Sequence, residues 1–209
     1  MDRGTRGLRR VLANRLAARP EDLRFRIGPC GRPSLGGSLR FSLSHAGGWA
    51  AVALCEGVDP GLDIEAISPV SVALAEHHFA PEECAALEAL PPKDWQAAFF
   101  RCWTRKEAVV KATGRGLSMP LIDFAVNLSP LAPRLLRIRD DDARTWALWQ
   151  LPTGPGMAGS LAMRNQGRRV NLRFCSGWLG LHHDANLSAQ ENTRGSGWGP
   201  GPDGCRSHG

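Results

Sequence analysis

The sequence predicts a protein of mixed helices and strands, and three stretches carry that reading. Residues 95–113 repeat apolar side chains at helical spacing, between Asp94 as N-cap and Gly114 as a stop. Phe41-Ser-Leu-Ser-His45 alternates, breaks at Ala46-Gly47-Gly48 and resumes over Trp49–Leu54, the pattern of a hairpin. Pro60-Gly-Leu-Asp-Ile-Glu65 reads as a strand, with Asp63 and Glu65 on one face and Leu62 and Ile64 on the other.

The remaining elements follow in order. Leu8, Val11, Leu12 and Leu16 make residues 6–18 an amphipathic helix closed by Arg19-Pro20, and Leu23–Ile27 is a short strand. Gly28–Leu35 is a turn-rich loop that fixes Arg32 between Gly31 and Pro33. Pro81-Glu82-Glu83 opens a helix with proline at its first position and carboxylates in its first turn, ending at Pro91-Pro92. Phe124–Leu128, Leu135–Arg139, Thr145–Leu151 and Val170–Phe174 read as strands. From 176 to 209 periodicity is lost among Gly, Asn, Ser and His, which predicts a disordered tail.

The 209 residues carry 26 Lys plus Arg against 20 Asp plus Glu, a net charge of +6 and a pI near 9.4. That balance favours an anionic partner: nucleic acid, a phosphorylated ligand or an acidic protein. No apolar run reaches the ~18 residues of a membrane span. Six cysteines without a C-x-x-C spacing predict free thiols in a reducing, cytoplasmic setting.

The central helix places charge where apolar residues are expected. At roughly 100° per residue, measured from Phe99, Lys106 falls at about −20°, Glu107 at about +80° and Lys111 at about +120°. Val110 and Trp103 share that arc, at about +20° and +40°, while Arg101, Arg105 and Ala108 take the opposite side. Only three lysines occur in this arginine-rich chain, and two of them, Lys106 and Lys111, fall here. An ammonium is a compact point charge, unlike the planar guanidinium, so this choice hints at a phosphate site. An ordinary Glu107–Lys111 helix pair is the alternative.

Asp63 and Glu65, side by side on one strand face, repel each other unless a cation lies between them. Oxygen ligands without His or Cys suit Mg2+ or Mn2+ rather than zinc. The alternative is the solvent face of an edge strand. Ser44 and His45 stand at the hairpin mouth, where hydroxyl and imidazole could meet an anion; a plain turn is the alternative.

In order along the chain, four motifs resemble the 4'-phosphopantetheinyl transferase family in its larger single-chain form. They are Gly31-Arg-Pro-Ser-Leu35, Phe41-Ser-Leu-Ser-His45, Gly61-Leu-Asp-Ile-Glu65 and Trp103-Thr-Arg-Lys-Glu-Ala-Val-Val-Lys-Ala-Thr-Gly-Arg-Gly-Leu117. The resemblance covers roughly residues 6–174.

It implies an α+β fold of two similar, pseudo-twofold halves around a central cleft, residues 1–58 forming an incomplete first half and 59–175 the second. Family members carry a further stretch ahead of the segment matching Arg6–Leu12. The implied activity is Mg2+-dependent transfer of the phosphopantetheine arm of coenzyme A to a carrier-protein serine. By the same resemblance Asp63, Glu65 and Glu107 hold the metal, and Lys106, Lys111 and His45 meet the phosphates. Ser44 and Arg32 face the 3′-phosphoadenosine end, Glu83 lies nearby, and Glu107 is a candidate proton acceptor.

The expected partner is an acidic acyl or peptidyl carrier protein, with no nucleic acid and no membrane. The expected state is a monomer, with a tendency to self-associate through an unpaired sheet edge and apolar surface near Leu39–Leu43. Two rivals stand beside this reading. One is a non-catalytic relative that binds coenzyme A or a carrier protein. The other is a Mg2+-dependent nuclease, which needs its carboxylate and lysine at i,i+2 on one strand, whereas Lys106 and Glu107 are adjacent on a helix pattern.

Overall fold

The computed structural model describes residues 3–176 and 204–208. Residues 1–167 form one unit and 168–209 another, so the boundary expected at 58/59 falls inside the larger unit. Arg3–Leu16 forms helix α1, ended where Ala17 takes a positive φ of 50°. Strands β1 (Arg26–Ile27) and β2 (Pro33–Ser34) pair across the Gly28–Arg32 turn. Strands β3 (Leu39–Ala46) and β4 (Trp49–Glu56) form the expected hairpin, with Gly47 and Gly48 supplying its positive-φ turn.

Leu8, Leu12 and Ala13 of α1 pack with Leu23, Leu35, Leu39 and Phe41 in a small core of their own. This corrects one expectation. Leu39 and Phe41 are each 3 % exposed, so the apolar surface anticipated near Leu39–Leu43 is covered by α1.

Strand β5 (Pro60–Ala66) begins the second part and pairs antiparallel with β9 (Met157–Met163), which pairs in turn with β8 (Ala147–Gln150). Between β5 and β8 come α2 (Val72–His78), α3 (Pro81–Glu88), α4 (Pro92–Thr113) and the paired strands β6 (Phe124–Val126) and β7 (Leu135–Ile138). The pattern reading had missed α2 and β9. It also started α4 late: Pro92 opens the helix, Asp94 lies in its first turn, and no side chain caps it. The predicted stop holds, since Gly114 takes the left-handed C-cap conformation at φ 69°.

Helix α4 is wrapped rather than half-exposed. Phe99, Cys102, Val109 and Val110 join Phe79, Leu87, Phe124 and Val126 in the larger core. On the side read as facing away, Ala108 and Arg105 are also fully buried. The Arg105 guanidinium donates to the Asn127 carbonyl at 2.5 Å, the Ser129 carbonyl at 2.6 Å and Gln150 Oε1 at 3.2 Å. Burial pushes its pKa down to about 10, helped by the neighbouring Arg101 charge.

In the second unit, β10 (Leu172–Ser176) pairs antiparallel with β11 (Gly204–His208), and Cys175 stands opposite Cys205. Of the stretch expected to be an unstructured tail, 204–208 form β11, and residues 177–203 lie outside the described residues. Cys175 is disulfide-bonded, which also corrects the expectation of free thiols throughout. Cys30, Cys55, Cys84 and Cys102 are free. Among the described residues no helix is long and apolar enough to cross a membrane.

Candidate functional site

The site exists because one strand comes unusually close to a helix. A Cβ on Gly61 would lie 1.8 Å from the Ala108 carbonyl oxygen and 2.4 Å from the Ala112 amide nitrogen. Only glycine permits that approach. Two residues along β5, Asp63 then meets α4 one turn beyond Glu107, where Lys111 Nζ lies 2.6 Å from Asp63 Oδ1.

Strand β3 closes the third side, through hydroxyls rather than a backbone ladder. Ser42 Oγ accepts the Leu62 amide at 3.0 Å, and Ser44 Oγ accepts the Ile64 amide at 3.2 Å. Ser44 also donates to Asp63 Oδ1 at 3.0 Å and lies 3.3 Å from Lys111 Nζ. The alternation of Phe41-Ser-Leu-Ser-His45 thus sends Phe41 toward the α1 core and both serines to β5. His45 is exposed at the end of the strand.

Electrostatically the pocket is under strain. Burial pushes the carboxyl pKa of Asp63 up, opposed by the Lys111 ammonium and two hydrogen bonds. Burial also raises Glu65 and Glu107, and in both the Asp63 charge raises it further. His45 is near enough to Glu65 to lower it slightly. Asp63 Oδ2 is buried with no hydrogen-bond partner. A buried carboxylate oxygen left bare beside two further carboxylates is a costly arrangement that a hard cation would relieve. As the side chains stand, no three His, Cys, Asp or Glu among the described residues are arranged to hold a metal ion. Lys111 takes the cation's part on Oδ1.

Three expected site residues are placed otherwise. Lys106 is fully buried, donating to Glu83 Oε2 at 2.5 Å and the Phe124 carbonyl at 2.8 Å, with its ammonium over the Phe124 ring. The reason is angular: Lys106 and Lys111 are about 140° apart on a helix and cannot face one site. Both hydrogen bonds of Lys106 lie inside the protein, apart from the phosphate and catalytic roles expected of it. Glu83 goes with it, since its second oxygen accepts the Val126 amide at 2.7 Å. Arg32 donates to the Lys111 carbonyl at 2.7 Å and the Pro60 carbonyl at 3.1 Å and pairs with Asp59. It satisfies carbonyls at the α4 C-terminus, where a cation is favoured.

The structure brings Asp63, Glu107, Lys111 and Ser44 to one place, whereas the resemblance sets Ser44 at the 3′-phosphoadenosine end. Sequence reasoning passed over Ser42 and gave no part to Gly61. A glycine inside an apolar strand was the available signal for a close backbone approach.

Residues 59–164 match the family model described as the 4'-phosphopantetheinyl transferase superfamily. The chain is 33% identical over 167 residues to the 4'-phosphopantetheinyl transferase HetI of Nostoc, covering 77% of this chain and 68% of HetI. It is 39% identical over 106 residues to psf-1 of Bacillus pumilus, covering 51% of this chain and 45% of psf-1. It is 43% identical over 110 residues to AcpT of Salmonella typhimurium, covering 50% of this chain and 56% of AcpT. HetI apart, each of these alignments spans about half of the relative's length. A holo-[acyl-carrier-protein] synthase of Thermotoga maritima overlays with TM-score 0.42 at 20% identity, over 57% of this chain and 69% of that one. The family match runs from β5 through α4 to the end of β9 and so contains Asp63, Glu65, Glu107 and Lys111, and on these grounds the chain belongs to the 4'-phosphopantetheinyl transferase superfamily.

Proposed function

We propose that the protein moves the phosphopantetheine arm of coenzyme A onto a serine of a carrier protein, with Mg2+, releasing adenosine 3′,5′-bisphosphate. The observation that carries this is the bare, buried Asp63 Oδ2 beside Glu65, Glu107 and the Lys111 ammonium. That oxygen-only donor set suits a hard divalent cation. Asp63, Glu65 and Glu107 would hold it, and when bound it supplies neutralisation of charge on the pyrophosphate oxygens.

The chain's own residues have distinct tasks. Lys111, released from Asp63 Oδ1, offers an ammonium to a phosphate oxygen, a third of its side chain being exposed. His45, exposed at the mouth, is a second phosphate contact. Glu107, whose pKa is raised by burial and by Asp63, suits the task of taking the proton from the incoming serine hydroxyl. The nucleophile comes from the partner, so none is required here. The net charge of +6 suits an acidic carrier protein, by steering encounter. A monomer working in the cytoplasm, without nucleic acid, completes the reading.

The test is labelling of an acyl or peptidyl carrier protein with a fluorescent coenzyme A analogue. Labelling should depend on added Mg2+ and stop with EDTA. Labelling that survives chelation overturns the metal assignment; coenzyme A binding without any labelling overturns the transfer.

A further inference from the structure

We propose that Ser44 is a positioning residue for Asp63: its hydroxyl turns the carboxylate so that Oδ1 is held by the protein and Oδ2 is left for a divalent cation. This rests on the reading of Asp63 as a cation ligand. A serine hydroxyl has one hydrogen to donate and two lone pairs to accept with. At Ser44 the hydrogen goes to Asp63 Oδ1 at 3.0 Å. The lone pairs take the Ile64 amide at 3.2 Å and the Lys111 ammonium at 3.3 Å. The group is saturated by the protein and 6 % exposed, so it has nothing left to offer a phosphate of coenzyme A. The role implied by family resemblance, contact with the 3′-phosphoadenosine end, is replaced by one directed inward. Its consequence is visible in Asp63 itself, whose Oδ1 is bonded to Ser44 and Lys111 while the buried Oδ2 is bare.

The chain carries its own control. Ser42 sits two residues earlier on β3 and makes the same kind of bond, accepting the Leu62 amide at 3.0 Å. Removing either hydroxyl leaves one β5 amide, that of Leu62 or of Ile64, without its acceptor; Ser44 alone of the two also holds a carboxylate.

The experiment titrates the full chain with Mn2+ in the absence of coenzyme A, following the free ion by electron paramagnetic resonance. Asp63→Asn should nearly abolish binding. Ser44→Ala should weaken it about tenfold, the order found when a residue orienting a metal ligand is removed. Ser42→Ala should leave Mn2+ affinity unchanged while losing similar thermal stability. In a second arm, Ser44→Ala should weaken coenzyme A and its 3′-dephospho form alike in the presence of Mn2+.

Equal loss of Mn2+ affinity in Ser42→Ala and Ser44→Ala reduces the seam to a structural one and overturns the proposal. So does a loss confined to coenzyme A that spares the dephospho form. If Ser44→Ala does not fold, Ser44→Cys, which keeps the volume but donates weakly, is read the same way. Failure of Asp63→Asn to weaken Mn2+ binding overturns the cation site and this inference together. Asp63→Asn loss with an unaffected Ser44→Ala overturns this inference alone.

Discussion

Two lysines five residues apart on α4 make ion pairs of nearly the same length, and they do opposite things. Lys106 Nζ lies 2.5 Å from Glu83 and Lys111 Nζ lies 2.6 Å from Asp63. Around Lys106 every partner is supplied: the Phe124 carbonyl takes a second hydrogen, and Glu83 accepts the Ala80 and Val126 amides. This pair ties α3 and β6 to the middle of α4 and is sealed from solvent. Around Lys111 the accounting is incomplete, with Asp63 Oδ2 bare and two more carboxylates raised in pKa nearby. A fully satisfied buried pair reads as scaffold, while a pair with an unmet requirement and an opening to solvent is a candidate for a site.

The largest expected effect tests the scaffold side of this contrast. Lys106→Ala leaves Glu83 buried without its cation and should cost about 3–5 kcal/mol of stability, read from urea unfolding. A loss below about 1 kcal/mol would erase the distinction between the two pairs.

Lys111→Ala should do the reverse. Its fold should persist with a smaller stability loss than Lys106→Ala, because Asp63 can take up a proton in place of the ammonium. Carrier-protein labelling should fall about 100-fold, the scale for losing one charge-stabilising donor at a reacting centre. Lys111→Arg should not restore it, since a planar fork does not replace a point charge. Full rescue by arginine would show that any positive charge on this face suffices.

The smallest effect concerns pH. Asp63, Glu65 and Glu107 have folded pKa values above those of the unfolded chain, so between the two values the native state binds more protons. Stability from these groups is therefore greatest in acid and is lost as pH rises from the ordinary carboxylate range through the raised values. Glu107→Gln should flatten that dependence and raise stability at pH 7 by less than about 1 kcal/mol, measured by thermal unfolding across pH. A variant less stable than the parent at pH 7 would mean that Glu107 is not a strained group.

Much of the site was legible because periodicity assigns direction. Asp63 and Glu65 share a strand face, and Glu107 and Lys111, one helical turn apart, do converge with Asp63. The break in the hairpin pattern marks Ser44 at a turn mouth; its place beside Asp63 and Lys111 comes from the structure. What escaped was anything that depends on a neighbour remote in sequence. Arg105 looked like a solvent-facing charge, yet the loop after β6 and the β8 strand supply carbonyls and an amide that bury it. Strand β9 went unread because its small residues, Ala158, Gly159 and Ser160, carry no alternation, being buried between β5, β8 and α4.

The sequence alone determined that α4 carries Lys106 and Glu107 within its apolar arc and Lys111 at the edge of that arc. It also determined that a strand with paired carboxylates and a serine-bearing hairpin stand ahead of it. These follow from the geometry of 3.6 and 2 residues per repeat. Only the tertiary structure decided what each direction meets. Gly61 lets β5 touch the helix beside Asp63, Phe79 and Phe124 enclose Lys106, and Arg32 reaches the helix end from another part of the chain. A repeat fixes an angle about its own axis; the partner at that angle is set by packing between segments far apart in the chain.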